Sequence, residues 1–372
     1  MAIATAVYDW AVRKLLVIVC GAVALTSLGG ASAADIDWRT LPHMNYLYQR
    51  LKVSTNSTWQ GAHPVDASRL NLGPDADSTL PKVKRQWIWA ATCGPAAQRV
   101  VFAKTFLAPG VPLEGTLDFM YGPGNQFLGG RPYVSGSFQI NGIEAGRLGD
   151  TGHFPKKFPP EISIALSPRA LRAFRYGPNT VTIRVDRAPL PAGEQRCTRP
   201  WATRGGKVRY IAVAADLALN FGSDLKAIAS DAPTQVAHVT NGQSVTLQGT
   251  ARFQNDGPSS SLGGSFTVGV RGDGGAALAL AVPQAPLAEA NCERTQGTMT
   301  CTYDEVRVGV KTGIQIVAGV KVNTGFFKNG VGEMSLQWSV RNGTGRDPNS
   351  GNNLTETLVV LCAPGATDPR CA

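Results

Sequence analysis

Apolar residues recur at every second position in one short run after another along this chain. In VVFAKTF (100–106) Val100, Phe102 and Phe106 share a face, and in TLDFMY (116–121) Leu117, Phe119 and Tyr121 do. SFQING (137–142) aligns Phe138 with Ile140, and EISIAL (161–166) aligns Ile162, Ile164 and Leu166. A period of two is strand geometry, because successive side chains point to opposite faces of a sheet. QWIWA (86–90), NTVTIRV (179–185) and YIAVAADLALNF (210–221) extend the series, and YLYQRLKV (46–53) is an earlier candidate strand. Asn141-Gly142 predicts a tight hairpin turn, since both residues accept positive φ. Helical character is confined to SPRALRAFRYG (167–177), with Ser167 as cap, Pro168 in the first turn and Gly177 as terminator. Many short strands with one short helix predict a β-sandwich.

A second pattern begins near Ser223. DLKAIAS (224–230), NGQSVTLQGTARFQNDGPSSS (241–261), SFTVGV (265–270), TGIQIVAGVKV (312–322), MSLQWSV (334–340) and NNLTETLVVL (352–361) are strand-like, and CERTQGTMTC (292–301) reads as a hairpin. Two polar stretches punctuate it. Asn255, Asp256 and Gly257 tolerate positive φ and Pro258 cannot donate to a ladder, so a strand is expected to end there. Asp347-Pro348 through Gly351 is expected to turn the chain into its last strand.

The segment from about Trp87 to Phe221 resembles a galactose-binding-like jelly-roll module, on FAKTF (102–106), FQING (138–142) and the unit SP-helix-GPNTVTIRV (167–185). It departs at the Gly-rich YGPGNQFLGGRPYVSG (121–136). Residues 224–362 resemble the CARDB-type Ig-like repeats of bacterial surface proteins, on NDGPSS (255–260), the cysteine pair 292/301 and DPNSGNN (347–353). These resemblances imply an all-β chain: a jelly-roll β-sandwich followed by an Ig-like β-sandwich. The expected divisions are a signal peptide 1–33, an N-terminal extension 34–80, the jelly roll 81–222, the Ig-like domain 223–362 and a tail 363–372.

Arg13-Lys14, the apolar LLVIVCGAVAL (15–25) and small residues ending at Ala33 form a signal-peptide pattern. The apolar run is shorter than the roughly 20 residues that span a bilayer, and no later stretch is apolar enough. Export to the periplasm, cell surface or medium is therefore expected. Of seven cysteines, Cys20 would leave with the signal, and the remaining six suit disulfides in an oxidising compartment. Proximity in sequence pairs Cys292 with Cys301 and Cys362 with Cys371, leaving Cys93 for Cys197. The four histidines are scattered and no C-x-x-C occurs, so no metal site is expected.

Without residues 1–33 the chain keeps 34 basic and 25 acidic residues, and residues 147–209 alone hold 13 basic and 4 acidic ones. The entire net charge of +9 thus falls in that stretch, which predicts an anionic neighbour. No nucleic-acid motif accompanies it. G-x-S-x-G, P-loop, H-E-x-x-H and kinase signatures are all missing, and Glu114, Glu144 and Glu161 read as solvated strand-edge or turn residues. Trp87 and Trp89 belong to a core. Tyr121 and Tyr133 flank the Gly-rich insertion, and Trp201 lies among Arg196, Arg199 and Arg204, where stacking and anion binding can combine. Arg271-Gly272-Asp273 reads as a hairpin tip. The expectation is a non-catalytic binding or adhesion protein without cofactor. Its jelly roll would take an anionic glycan or envelope lipid, and its Ig-like domain would space it or engage a protein. The alternative is a polysaccharide-active enzyme or its accessory subunit.

Overall fold

The computed structural model describes residues 36–42, 44–46, 49–65, 85–89, 96–122, 127–128, 131–132, 134–148, 161–187, 212–229, 234–272, 277–284, 287, 291–322, 326–343 and 345–372. The chain forms two compact units, Met1–Leu41 and Pro42–Ala372. In the first, a 3-10 turn at Trp38–Thr40 is capped by Asp37, whose Oδ1 accepts from the Arg39 N–H at 3.0 Å.

The described residues of the second unit lie mostly in strands. Its first part runs β1 (Met44–Asn45), β2 (Arg50–Ser54), β3 (His63–Val65), β4 (Trp87–Trp89), β5 (Gln98–Pro109), β6 (Glu114–Gly122), β7 (Phe127–Leu128), β8 (Arg131–Pro132), β9 (Val134–Ile140), β10 (Ile143–Leu148), β11 (Glu161–Ala165), helix α1 (Pro168–Leu171), β12 (Tyr176–Arg187) and β13 (Ala212–Asn220). Sheet I joins β1, β2, β3, β4, β6, β11 and β13, with β13 central; sheet II has the order β10-β9-β12-β5. Alternation drives the two sheets face to face. Phe102, Phe119, Phe138, Leu117, Ile140 and Ile183 are fully buried between them, and the Phe119 and Phe138 rings meet at 4.7 Å between centroids.

Local chemistry follows the sequence reading at the Asn141-Gly142 turn, where φ is +48° and +85°. The helix is shorter than the pattern predicts. Ser167 Oγ accepts from the Ala170 N–H at 3.2 Å, as expected of a cap, yet α1 ends at Leu171. The reason is Asn179. Its buried side chain accepts from the Arg175 N–H (3.0 Å) and donates to the carbonyls of Arg175 (2.8 Å) and Gly177 (2.9 Å). That competes with further helical bonding, so Gly177 lies in β12 and terminates no helix.

The second part runs β14 (Ser223–Ile228), β15 (Thr234–His238), β16 (Ser244–Pro258), β17 (Ser261–Gly272), β18 (Ala277–Pro283), β19 (Asn291–Arg294), β20 (Thr298–Val306), β21 (Lys311–Lys321), β22 (Val331–Asn342) and β23 (Leu354–Cys362). Sheet III has the order β14-β16-β21-β18 and sheet IV the order β15-β23-β22-β17-β20-β19. Strand β15 runs parallel to β23. Phe253 of sheet III packs on Phe266 of sheet IV at 4.7 Å, and Trp338 Nε1 crosses between sheets to donate to the carbonyls of Ile228 and Arg252. The molecule is an all-β chain of two sandwiches.

The stretch FQNDGPSSS carries the chain from sheet III to sheet IV and also meets the first sandwich. The Val111 N–H donates to the Pro258 carbonyl (3.2 Å), Ser260 N–H to Pro109 (2.8 Å) and Ser259 N–H to Gly222 (3.2 Å). Ser259 Oγ donates to the Val111 carbonyl at 2.6 Å. Gly110 is required at this contact, since a Cβ there would lie 2.7 Å from Ser259 Cα. Of Asn255, Asp256 and Gly257, only Gly257 has positive φ. Asn255 works through its side chain instead.

Candidate functional site

Strand register sorts the first sandwich into two ends. One end meets the second sandwich: Asn220 pairs with Glu114 and Arg50, Tyr176 with Pro109, and Ile140 with Ile143. At the opposite, distal end Gly122 pairs with Ala212, Met120 with Glu161, Ile88 with Val213, and Arg187 with both Val134 and Gln98. The connections 90–97, 123–133, 149–160 and 188–211 all leave strand ends at the distal side. They carry most of the residues singled out from sequence.

Tyr121 lies in β6 one residue before that end, opposite Val213. Tyr133, Arg196, Arg199, Trp201 and Arg204 lie outside the described residues, as do Cys93 and Cys197. The charged stretch 147–209 is divided by the fold. Residues 149–160 and 188–211 hold seven basic and two acidic residues at distal connections. Arg169, Arg172 and Arg175 instead follow β11 on and after α1, at the junction end. Arg147 is paired with Glu144 at 2.6 Å, and Arg184 with Asp186 at 3.3 Å.

Sequence reading missed an ion cluster on the outer face of sheet I. Asp118 and Asp216 oppose one another across β6 and β13. Arg85 Nε lies 2.7 Å and Lys52 Nζ 2.9 Å from Asp216 Oδ2, and Arg85 Nη2 is 3.8 Å from Asp118. Burial pushes the Asp216 carboxyl up, but hydrogen bonds from Ser54, Lys52 and Arg85 together outweigh it and hold the group below its usual value. Two carboxylates facing two cations form a charge-balanced network that ties the chain at Arg85 to the sheet. Its members are 52, 85, 118 and 216, a spread that gives no local signal.

At the junction Tyr176 OH donates to Glu305 at 3.3 Å, and the Arg307 guanidinium sits 5.0 Å above the Tyr176 ring. Burial and the Glu305 carboxylate push the Tyr176 phenol up to about 12. In DPNSGNN the Asp347 carboxylate accepts from the N–H groups of Asn349 (2.9 Å) and Leu225 (3.3 Å) and from Asn353 Nδ2 (3.0 Å), so the loop is organised around its own anion. The side-chain amides of Asn342 and Asn353 are engaged, donating to Ser223 Oγ and Asp347 respectively. Disulfides join Cys292 to Cys301 and Cys362 to Cys371. Among the described residues no group of three or more His, Cys, Asp or Glu side chains is placed to hold a metal, and no helix is long and apolar enough to cross a membrane.

No family model and no curated protein matches the sequence. Solved structures with a weak likeness include a β-glucuronidase from Bacteroides uniformis, at 11% identity and TM-score 0.21 over 84% of this chain. The chain spans about a third of that enzyme, 32% of its length. Others are cohesin modules: one from Pseudobacteroides cellulosolvens (14% identity, TM-score 0.22, 39% of this chain and 95% of that one) and one from a Clostridium perfringens family 33 glycoside hydrolase (8%, 0.23, 39% and 99%). At these TM-scores the likenesses carry no argument about function, ligand or partner.

Proposed function

We propose that the protein is an exported binding protein whose distal end recognises an anionic glycan or envelope lipid. The observation that carries this reading is topological: the connections bearing Tyr133, Trp201, Arg196, Arg199 and Arg204 leave the same end of the first sandwich, away from the second. The second sandwich then serves as a CARDB-like spacer or protein-interaction module. A Cys93–Cys197 bridge would tie two of the distal connections together. The two disulfides of the second sandwich suit an oxidising compartment. Recognition combines long-range attraction with aromatic stacking.

The test is binding of the purified chain to a sulfated glycan, a neutral dextran and anionic-lipid vesicles. Raising salt from 50 to 300 mM shortens the screening length, so affinity for the anionic probe is expected to fall by about tenfold or more. The double variant R199E/R204E is expected to lose binding while keeping its circular dichroism spectrum. Salt-independent affinity for the neutral glycan would falsify the electrostatic reading.

A further inference from the structure

The two described disulfides hold very different parts of the second sandwich. Cys362 ends β23 and is fully buried; Cys371 is 8% exposed and packs with Val331 and Val360. Cys292, by contrast, is partly exposed and lies in β19, a four-residue strand at the outside of sheet IV. Its partner Cys301 is fully buried in the core, in β20.

The bridge to Cys301 duplicates a register that other bonds already set. Cys292 stands directly opposite Cys301, flanked by the pairs Asn291–Thr302, Glu293–Thr300 and Arg294–Met299. The turn is fastened independently: Thr295 N–H donates to the Thr298 carbonyl at 2.8 Å, and Thr298 N–H to Thr295 Oγ1 at 3.1 Å. Arg294 Nη2 donates to the Leu278 carbonyl of β18, and Gln296 accepts from the Leu278 N–H at 2.9 Å. Both bridges join cysteines nine positions apart, so loop length does not separate them and exposure does. Strand β20 also pairs with β17 along its other edge, from Ser261–Val306 to Gly269–Thr298, so Cys301 stays in place without the bridge.

We infer that Cys292–Cys301 is a thiol-exchange site that external dithiols open in the folded protein while the β19–β20 hairpin keeps its register. One thiolate of the dithiol attacks Cys292 Sγ. The protein S–S bond breaks, and Cys301 Sγ leaves with the electron pair and takes a proton. The second thiol then attacks the mixed disulfide, releasing Cys292 as a thiol and closing the reagent's own disulfide. Two electrons pass from reagent to protein, and two protein thiols result.

The full chain is titrated with dithiothreitol under native conditions, alkylated and peptide-mapped. Cys292 and Cys301 are expected to be half-opened at a dithiol concentration about tenfold or more below that needed for Cys362–Cys371. The far-UV spectrum stays unchanged, and hydrogen exchange stays slow at 298–306 and in β22. Simultaneous opening of both bridges, earlier opening of Cys362–Cys371, or global unfolding on reduction overturns the inference. The double variant C292A/C301A is expected to fold with an unchanged far-UV spectrum and slow exchange at 298–306; failure to fold, or loss of protection there, also overturns it.

Discussion

Asp216 shows how a single charged residue is accommodated on a sheet. Its side chain is 5% exposed, an environment that disfavours a charge, and it is kept ionised by Arg85 and Lys52. Its folded pKa is depressed. The native state therefore binds fewer protons than the unfolded chain as pH falls toward the carboxylate range. Stability from this group is fully present above the unfolded value, near 4, and is lost as pH falls through the lower folded value. Replacing Arg85 by Met leaves Asp216 without its most buried partner and is expected to cost about 3 kcal/mol at pH 7. The loss should shrink toward pH 3, where the carboxylate can be protonated. Urea unfolding at both pH values checks this; a cost independent of pH would assign Arg85 a packing role only. None of this was legible in sequence, because the four members of the network lie far apart along the chain and share no motif. Alternation, by contrast, identified Phe102, Phe119 and Phe138 as core without any partner being known.

At the scale of the element, the strand that crosses between sheets III and IV depends on one amide. Asn255 Nδ2 donates to the carbonyls of Ser259 (2.9 Å) and Val306 (2.8 Å), and its Oδ1 accepts from the Gly257 N–H (2.9 Å). The residue is fully buried. The sequence showed that a strand must end near Pro258, and β16 does end there. It did not show that Asn255 acts as a side-chain bracket rather than a left-handed backbone residue, because the choice depends on Val306, 51 positions away. Asn255→Ala removes three buried hydrogen bonds to backbone groups and is expected to destabilise the protein by about 3 kcal/mol or more. Asn255→Asp should be nearly as costly, since a carboxylate faces two carbonyls. Lower urea midpoints for both variants, with little change in slope, would support the bracket. Strands β15 and β18 escaped sequence reading for a related reason: TQVAH and ALALAVP lack clean alternation, and β18 carries a bulge between Leu278 and Leu280.

The whole molecule is joined at a seam that composition does not announce. Ser223, Asn255, Ser259, Ser260 and Ser261 are fully buried, and two of them bond across: Ser260 to Pro109, and Ser259 to Val111 and Gly222. Buried polar groups satisfied by partners from another sandwich couple the two halves, because separating them breaks those bonds together. Tyr46 adds a bond to the Asp304 carbonyl, and Tyr176 one to Glu305. A proposed spacer fixed in this way presents the distal end in a set direction instead of on a flexible tether. The expected consequence is thermodynamic. Residues 42–372 should unfold in one calorimetric transition with equal calorimetric and van't Hoff enthalpies, and residues 223–372 made alone should be less stable by about 2 kcal/mol or more. Ser259→Val, which removes the hydroxyl bond to Val111 and crowds the seam, should split the transition before it abolishes folding. Two transitions in the wild-type chain, each matching a separately expressed half, would mean that the seam holds no coupling and that distal recognition proceeds from a freely swinging domain.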